Sequence, residues 1–193
     1  ILYQIAGGTR HVFVYLLFIL VSAADIANLV IFARLVGRVW GEGKELWRLA
    51  AYGVVLAGLA YAWWYFDSFA VLTLLLGLYW ILEGKAGRAG IILGVGGLIK
   101  FFPLVVLAAA WKHLGWKKAL QTSLIALAVI GAVYGSLWLA SPQFTQASLV
   151  SQGAKGSWET IWAMIDGNYQ TGNFGPLVER LDPATAWTAR GNP

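Results

Sequence analysis

Long apolar stretches alternate along this chain with short clusters of charge. Positions 12–36 form the first stretch. A helix rising about 1.5 Å per residue needs roughly 20 residues to cross a bilayer core, so this pattern predicts a transmembrane span. Positions 49–82 are apolar except at Asp67, too long for one crossing and slightly short for two ordinary ones. They predict a helical hairpin with arms near 49–66 and 69–82, turning near Tyr65, Phe66, Asp67 and Ser68. Positions 89–111 repeat the pattern, interrupted by Lys100 and Pro103 within Gly96-Gly97-Leu98-Ile99-Lys100-Phe101-Phe102-Pro103. Proline removes a donor and disfavours helix at the preceding residue. The stretch is therefore one kinked span or a second short hairpin with arms near 89–99 and 101–111. A last span is expected near 119–140.

Charge chooses between the two, because short cytoplasmic loops carry an excess of Lys and Arg. Three basic loops stand out: Arg34, Arg38 and Arg48; Lys85 and Arg88; Lys112, Lys117 and Lys118. A double hairpin places all three inside, whereas a single span would place one outside. The expected fold is thus all-α: a polytopic transmembrane helical protein with short helical hairpins over 1–140, then an extracytoplasmic tail over 141–193. Asp67, Lys100 and the tail share one side in this topology. Short helices that stop below the far surface are tolerated when packed in protein or when the bilayer thins locally.

The tail carries its own pattern. Trp158, Ile161, Trp162 and Ile165 recur at helical spacing between a capping Ser157 and a terminating Gly167, which predicts a short amphipathic interfacial helix near 158–166. Beyond it, Asp166, Asn168 and Tyr169 lie in a segment dense in turn residues and hydrogen-bonding groups, suited to sugar hydroxyls. These three are candidate substrate-binding residues.

Composition agrees with a membrane setting: 59% of residues are hydrophobic and 12% charged, against about 25% charged in soluble domains. Mean hydropathy is +0.68. With no cysteine, disulfide frameworks and thiolate metal sites are excluded. The first ten residues do not form a cleavable signal, and the chain starts at Ile1 without an initiator Met, so it is expected to belong to a longer polypeptide. The net charge of +5 sits mainly in the predicted cytoplasmic loops, where it sets topology and attracts anionic membrane lipids. No aromatic-basic module accompanies it, so nucleic acid is not an expected partner. His11 and His113 lack metal-ligand spacing and read as interfacial; neither a metal nor another cofactor is expected. The pairs Gly90/Gly94 and Gly131/Gly135 have the four-residue spacing that lets helices approach closely in lipid.

Lys100 is the most informative position. An ammonium at membrane depth is expensive and is normally kept for a partner, a wet cavity or an anionic ligand. It reads as a phosphate contact or as a lysine snorkelling to an interface. Asp67 reads as a general base, a ligand anchor, the partner of Lys100, or an ordinary helix start. Asp25 and Asn28, one helical turn apart in the first span, face protein or cavity and read as an interhelical polar clamp. Glu159 and Asp166 are the tail's acidic candidates for catalysis.

The order Trp63-Trp64-Tyr65-Phe66-Asp67-Ser68, apolar helix, Gly84-Lys85-Ala86-Gly87-Arg88-Ala89-Gly90, Gly-rich helix, Lys100-Phe101-Phe102-Pro103, apolar helix, Trp116-Lys117-Lys118 resembles the GT-C glycosyltransferases. More narrowly it is similar to the mannosyltransferase-like branch that takes sugars from polyprenyl phosphates. The resemblance covers roughly a third of the chain. It implies a polytopic enzyme moving a mannose-like sugar from a polyprenyl-phosphate donor to a lipid or glycan acceptor at the extracytoplasmic face, without a metal. Lys100 would neutralise the donor or leaving phosphate, and Asp67 falls at the family's acidic or amide turn, here without the Gly-Gln lead common in relatives. In that family an acidic residue of the first extracytoplasmic loop activates the acceptor. No carboxylate precedes Asp25, so that base is expected upstream of Ile1. The resemblance also implies a multi-pass protein of a bacterial-type plasma membrane.

Two other classes fit the same residues. One is a transporter-like protein in which Asp25, Asp67 and Lys100 line a polar pathway framed by broken helices. The other is a noncatalytic membrane subunit of a larger complex, its polar intramembrane residues paired with additional subunits.

Overall fold

The computed structural model describes residue 7 and residues 10–41, 43, 45–58 and 67–153. The chain divides into two compact units, Ile1–Ile130 and Gly131–Pro193. Seven α-helices and one 3-10 helix make up the described chain: α1 Arg10–Trp40, α2 Glu45–Gly58, α3 Asp67–Leu82, α4 Ala86–Ile99, the 3-10 helix Phe102–Val106, α5 Leu107–His113, α6 Trp116–Ala140 and α7 Pro142–Gly153. No strand occurs among the described residues.

In the first unit, α3 is the central element. It carries no charge after Asp67, and a helix that is hydrophobic all round is stable only when covered on most sides. Its Leu75 packs with Ile31 and Leu35 of α1. Its Ile81 joins Ala86, Ala89 and Leu93 of α4, Val106, Ala110 of α5, Leu114, and Ala119 and Ala126 of α6.

A tight turn joins α3 to α4. Gly84 adopts φ +71°, left-handed backbone that costs a residue with a Cβ about 1–2 kcal/mol. At the other end α4 stops at Lys100, whose backbone is extended (φ −151°, ψ 149°) while its N–H still donates to the Gly96 carbonyl at 2.9 Å. Pro103 then falls in the first turn of the 3-10 helix, where its missing N–H removes no helical bond. The chain folds back on α4: a Cβ on Gly96 would meet Pro103, and one on Gly97 would meet Leu104. The interruption at Lys100 is therefore a hairpin turn and not a kink within one continuous helix.

Gly90 and Gly94 let α6 lie close along α4. A Cβ on Gly90 would stand 2.7 Å from the Thr122 carbonyl oxygen, and one on Gly94 would stand 2.8 Å from that of Ala126. The Thr122 hydroxyl donates to the Ala86 carbonyl at 3.2 Å.

Two helices, α1 and α6, are long and apolar enough to cross a membrane. The 16 residues of α3 and 14 of α4 reach about 24 and 21 Å, short of the roughly 30 Å hydrocarbon core.

In the second unit the described residues comprise the end of α6 and α7. The tail expected from 141 onward is helical over Pro142–Gly153. Proline sits at the helix start, where its fixed φ is favourable, and Thr145 ties the first turn by donating its N–H and hydroxyl to the Ser141 carbonyl at 3.1 and 2.9 Å. Among the described residues, a Cβ on Gly131 or Gly135 would meet nothing within 4 Å, so the close approach these residues show is at the first glycine pair. The helix expected near 158–166 lies outside the described residues, as do Glu159, Asp166, Asn168 and Tyr169.

Candidate functional site

Asp67 opens α3 and Lys100 closes α4, so the antiparallel hairpin built on the Gly84 turn carries both to the same end. There the Lys100 Nζ lies 2.5 Å from Asp67 Oδ1, with the two side chains 46% and 45% exposed. A carboxylate in the first turn of a helix is favoured by the helix dipole and by the unpaired N–H groups there. Lys100 lies just past the last residue of α4 in extended backbone, and its ammonium meets Asp67 at the start of α3. The pair is neither sealed in a core nor free in solvent, and each partner retains capacity. An ammonium has three donors and Asp67 takes one; a carboxylate keeps further lone pairs for a hydroxyl or amide proton. Phe101 and Phe102, next in the chain, are both exposed and give the pair an apolar flank.

The first turn of α3 is fixed from the opposite side. Asn28 of α1 is fully buried, and its Nδ2 donates to the Ser68 carbonyl at 2.9 Å. Its Oδ1 is buried without a hydrogen-bond partner among the described residues. Asp25, one turn earlier, is half-buried and near enough to Tyr52 of α2 to act on it electrostatically. Asn28 thus does tie two helices, α1 and α3. The structure pairs Asp67 with Lys100, one of the arrangements open from sequence.

The far end of the same hairpin is basic. Arg38, in the last turn of α1, forms an ion pair with Glu83 and donates from Nη2 to the Leu82 carbonyl at 3.0 Å. Lys85 Nζ donates to Glu83 Oε2 at 3.1 Å. The Lys85 hydrogen bond, with lesser help from the charges of Lys85 and Arg38 and from the Arg38 hydrogen bond, holds the Glu83 carboxyl below its ordinary range; desolvation, second in size to the Lys85 hydrogen bond, opposes it. A Cβ on Gly84 would lie 3.9 Å from Lys118 Nζ, which brings the start of α6 to this end. Residues of all three basic loops therefore gather opposite Asp67 and Lys100. Sequence reasoning did not single out Glu83; its signal was being an acidic residue between basic loops.

His11 and His113 are exposed. No group of three or more His, Cys, Asp or Glu side chains converges among the described residues. No protein-family model, curated protein or solved structure matches this chain.

Proposed function

We propose that this chain forms part of a multi-pass membrane glycosyltransferase that moves a mannose-like sugar from a polyprenyl-phosphate donor to a lipid or glycan acceptor at the extracytoplasmic face of a bacterial-type plasma membrane. The observation that carries the proposal is the half-exposed Asp67–Lys100 pair at the mouth of helices too short to reach both membrane surfaces. An ammonium held in a preorganised position, partly shielded from water, is suited to neutralising a phosphate as charge develops on the leaving group. Its two remaining donors are free for phosphate oxygens while the third stays on Asp67. The Asp67 carboxylate keeps lone pairs for an acceptor or sugar hydroxyl.

The gathering of the basic loops at the opposite end supports the orientation, because those loops belong in the cytoplasm. Asp67 and Lys100 then face outward. Asp166, Asn168 and Tyr169 are the proposed contacts to sugar hydroxyls.

The test is transfer of radiolabelled hexose from a synthetic polyprenyl-phosphate hexose by the protein reconstituted in liposomes. Wild-type protein should transfer the label, and Lys100→Ala should lower turnover about 100-fold, the scale set by loss of one preorganised donor. Turnover by Lys100→Ala equal to wild type overturns the role given to Lys100, and absence of transfer by the wild type with any polyprenyl-phosphate sugar overturns the activity.

A further inference from the structure

Asn28 is an odd choice for a packing position. It is fully buried among the apolar residues of α1, yet only half of its amide is used among the described residues: Nδ2 donates to Ser68 O at 2.9 Å and Oδ1 has no partner there. A buried polar atom left unpaired is destabilising, and an apolar side chain of similar size would avoid that loss. What an apolar side chain cannot do is hold a backbone carbonyl at a fixed point. The carbonyl held here belongs to Ser68, the residue next to Asp67 in the first turn of α3. Lys100 reaches the same turn from α4. The first turn of α3 is thus gripped from α1 by a neutral amide and from α4 by an ammonium.

We infer that Asn28 is a positioning residue for the Asp67–Lys100 pair: its amide registers the start of α3 against α1 and so sets where the Asp67 carboxylate meets the Lys100 ammonium. This deepens the transferase proposal and rests on it for its catalytic meaning, but the geometric claim stands separately. Ser68 presents an acceptor to Asn28. A donor is therefore essential at position 28, and a carboxylate there would face the carbonyl with lone pairs on both sides. Gln keeps the donor on a longer arm. Asn28→Gln should retain the effect in part, whereas Asn28→Ala and Asn28→Asp should lose it.

The experiment follows Lys100 itself. The folded protein in detergent is treated with a trace of acetic anhydride at one fixed pH, and the rate of acetylation at Lys100 is quantified by mass spectrometry relative to Lys112 and Lys117 in the same sample. An amine held against a carboxylate must leave it before it can attack the anhydride, so Lys100 in contact with Asp67 is acylated more slowly than without that contact. Asp67→Asn is expected to speed Lys100 acetylation several-fold. Asn28→Ala should raise the rate most of the way to that of Asp67→Asn, with Asn28→Gln in between. A Lys100 rate unchanged in Asn28→Ala, beside a raised one in Asp67→Asn, overturns the inference. So does an unchanged rate in Asp67→Asn, since no pair would then exist to be positioned. If Asn28→Ala does not fold, Asn28→Ser and Asn28→Gln replace it and are judged by the same increase in rate. No turnover is needed for this readout, so a failure of the sugar-transfer proposal and a failure of the positioning role are told apart. Where transfer is measurable, Asn28→Ala should lower kcat at least about tenfold while KM for the donor changes less than about threefold, the pattern of a misplaced group and not of lost substrate binding.

Discussion

Gly90 of α4 sits so close to Thr122 of α6 that a single added carbon would stand 2.7 Å from the Thr122 carbonyl oxygen. The obstructing atom is backbone, and Ile125 crowds the same position from beside it. Gly90→Ala should therefore destabilise the protein by about 1–3 kcal/mol, the usual range for overpacking, measured as a lower thermal midpoint in detergent. Gly131→Ala provides the contrast. No described residue comes within 4 Å of a Cβ at that position, and a helical alanine is favoured over glycine by up to about 1 kcal/mol, so its midpoint should stay level or rise.

The Gly84 turn holds α3 and α4 antiparallel, and its φ of +71° is unfavourable for a residue with a Cβ. Gly84→Ala should cost about 1–2 kcal/mol, and Gly84→Asn less, because Asn tolerates left-handed backbone. Equal midpoints for Gly84→Ala and wild type would show that the turn is not held in this conformation.

Glu83 predicts a pH dependence. Its carboxyl is held low by Lys85 first and by Arg38. A group whose folded value is depressed contributes stability above its unfolded value, and that contribution disappears as pH falls through the folded one. Relative to wild type, Glu83→Gln should melt earlier at pH 7 in low salt. The difference should shrink as pH drops below the ordinary glutamate value of 4.5 and should also shrink in high salt. A difference that grows on acidification would contradict the network.

The cysteine-free chain permits a direct test of sidedness. Phe101→Cys leaves the Asp67–Lys100 pair in place, and Lys85→Cys marks the opposite end of α4. A membrane-impermeant thiol reagent added outside intact cells should label the first and not the second; inverted vesicles should reverse the result. Labelling of both from one side would remove the proposed orientation.

Much of this arrangement was legible in the sequence because charges stand out in apolar runs. Lys100 marked the end of α4, Pro103 marked the break after it, and Gly84 with Lys85 marked the turn before it. The pairing of Lys100 with Asp67 was one option among several, since sequence places charges along the chain but does not fix helix register. The choice of a double hairpin narrowed it by bringing both to one end. The partner of Asn28 was illegible, because a backbone carbonyl leaves no trace in residue identity. α7 was missed for another reason: its polar, weakly periodic sequence reads as loop, and its proline, which in mid-helix would break the element, instead stands at the start.

The Asp67–Lys100 contact also bears on biogenesis. In the proposed orientation both charges must be delivered across the bilayer, and an isolated charge in such a transfer costs on the order of 3 kcal/mol at the membrane centre. Asp67 precedes Lys100 in the chain, so in that orientation it would cross first and would offer Lys100 a compensating charge on arrival. Synthesis order would then become part of the assembly instruction.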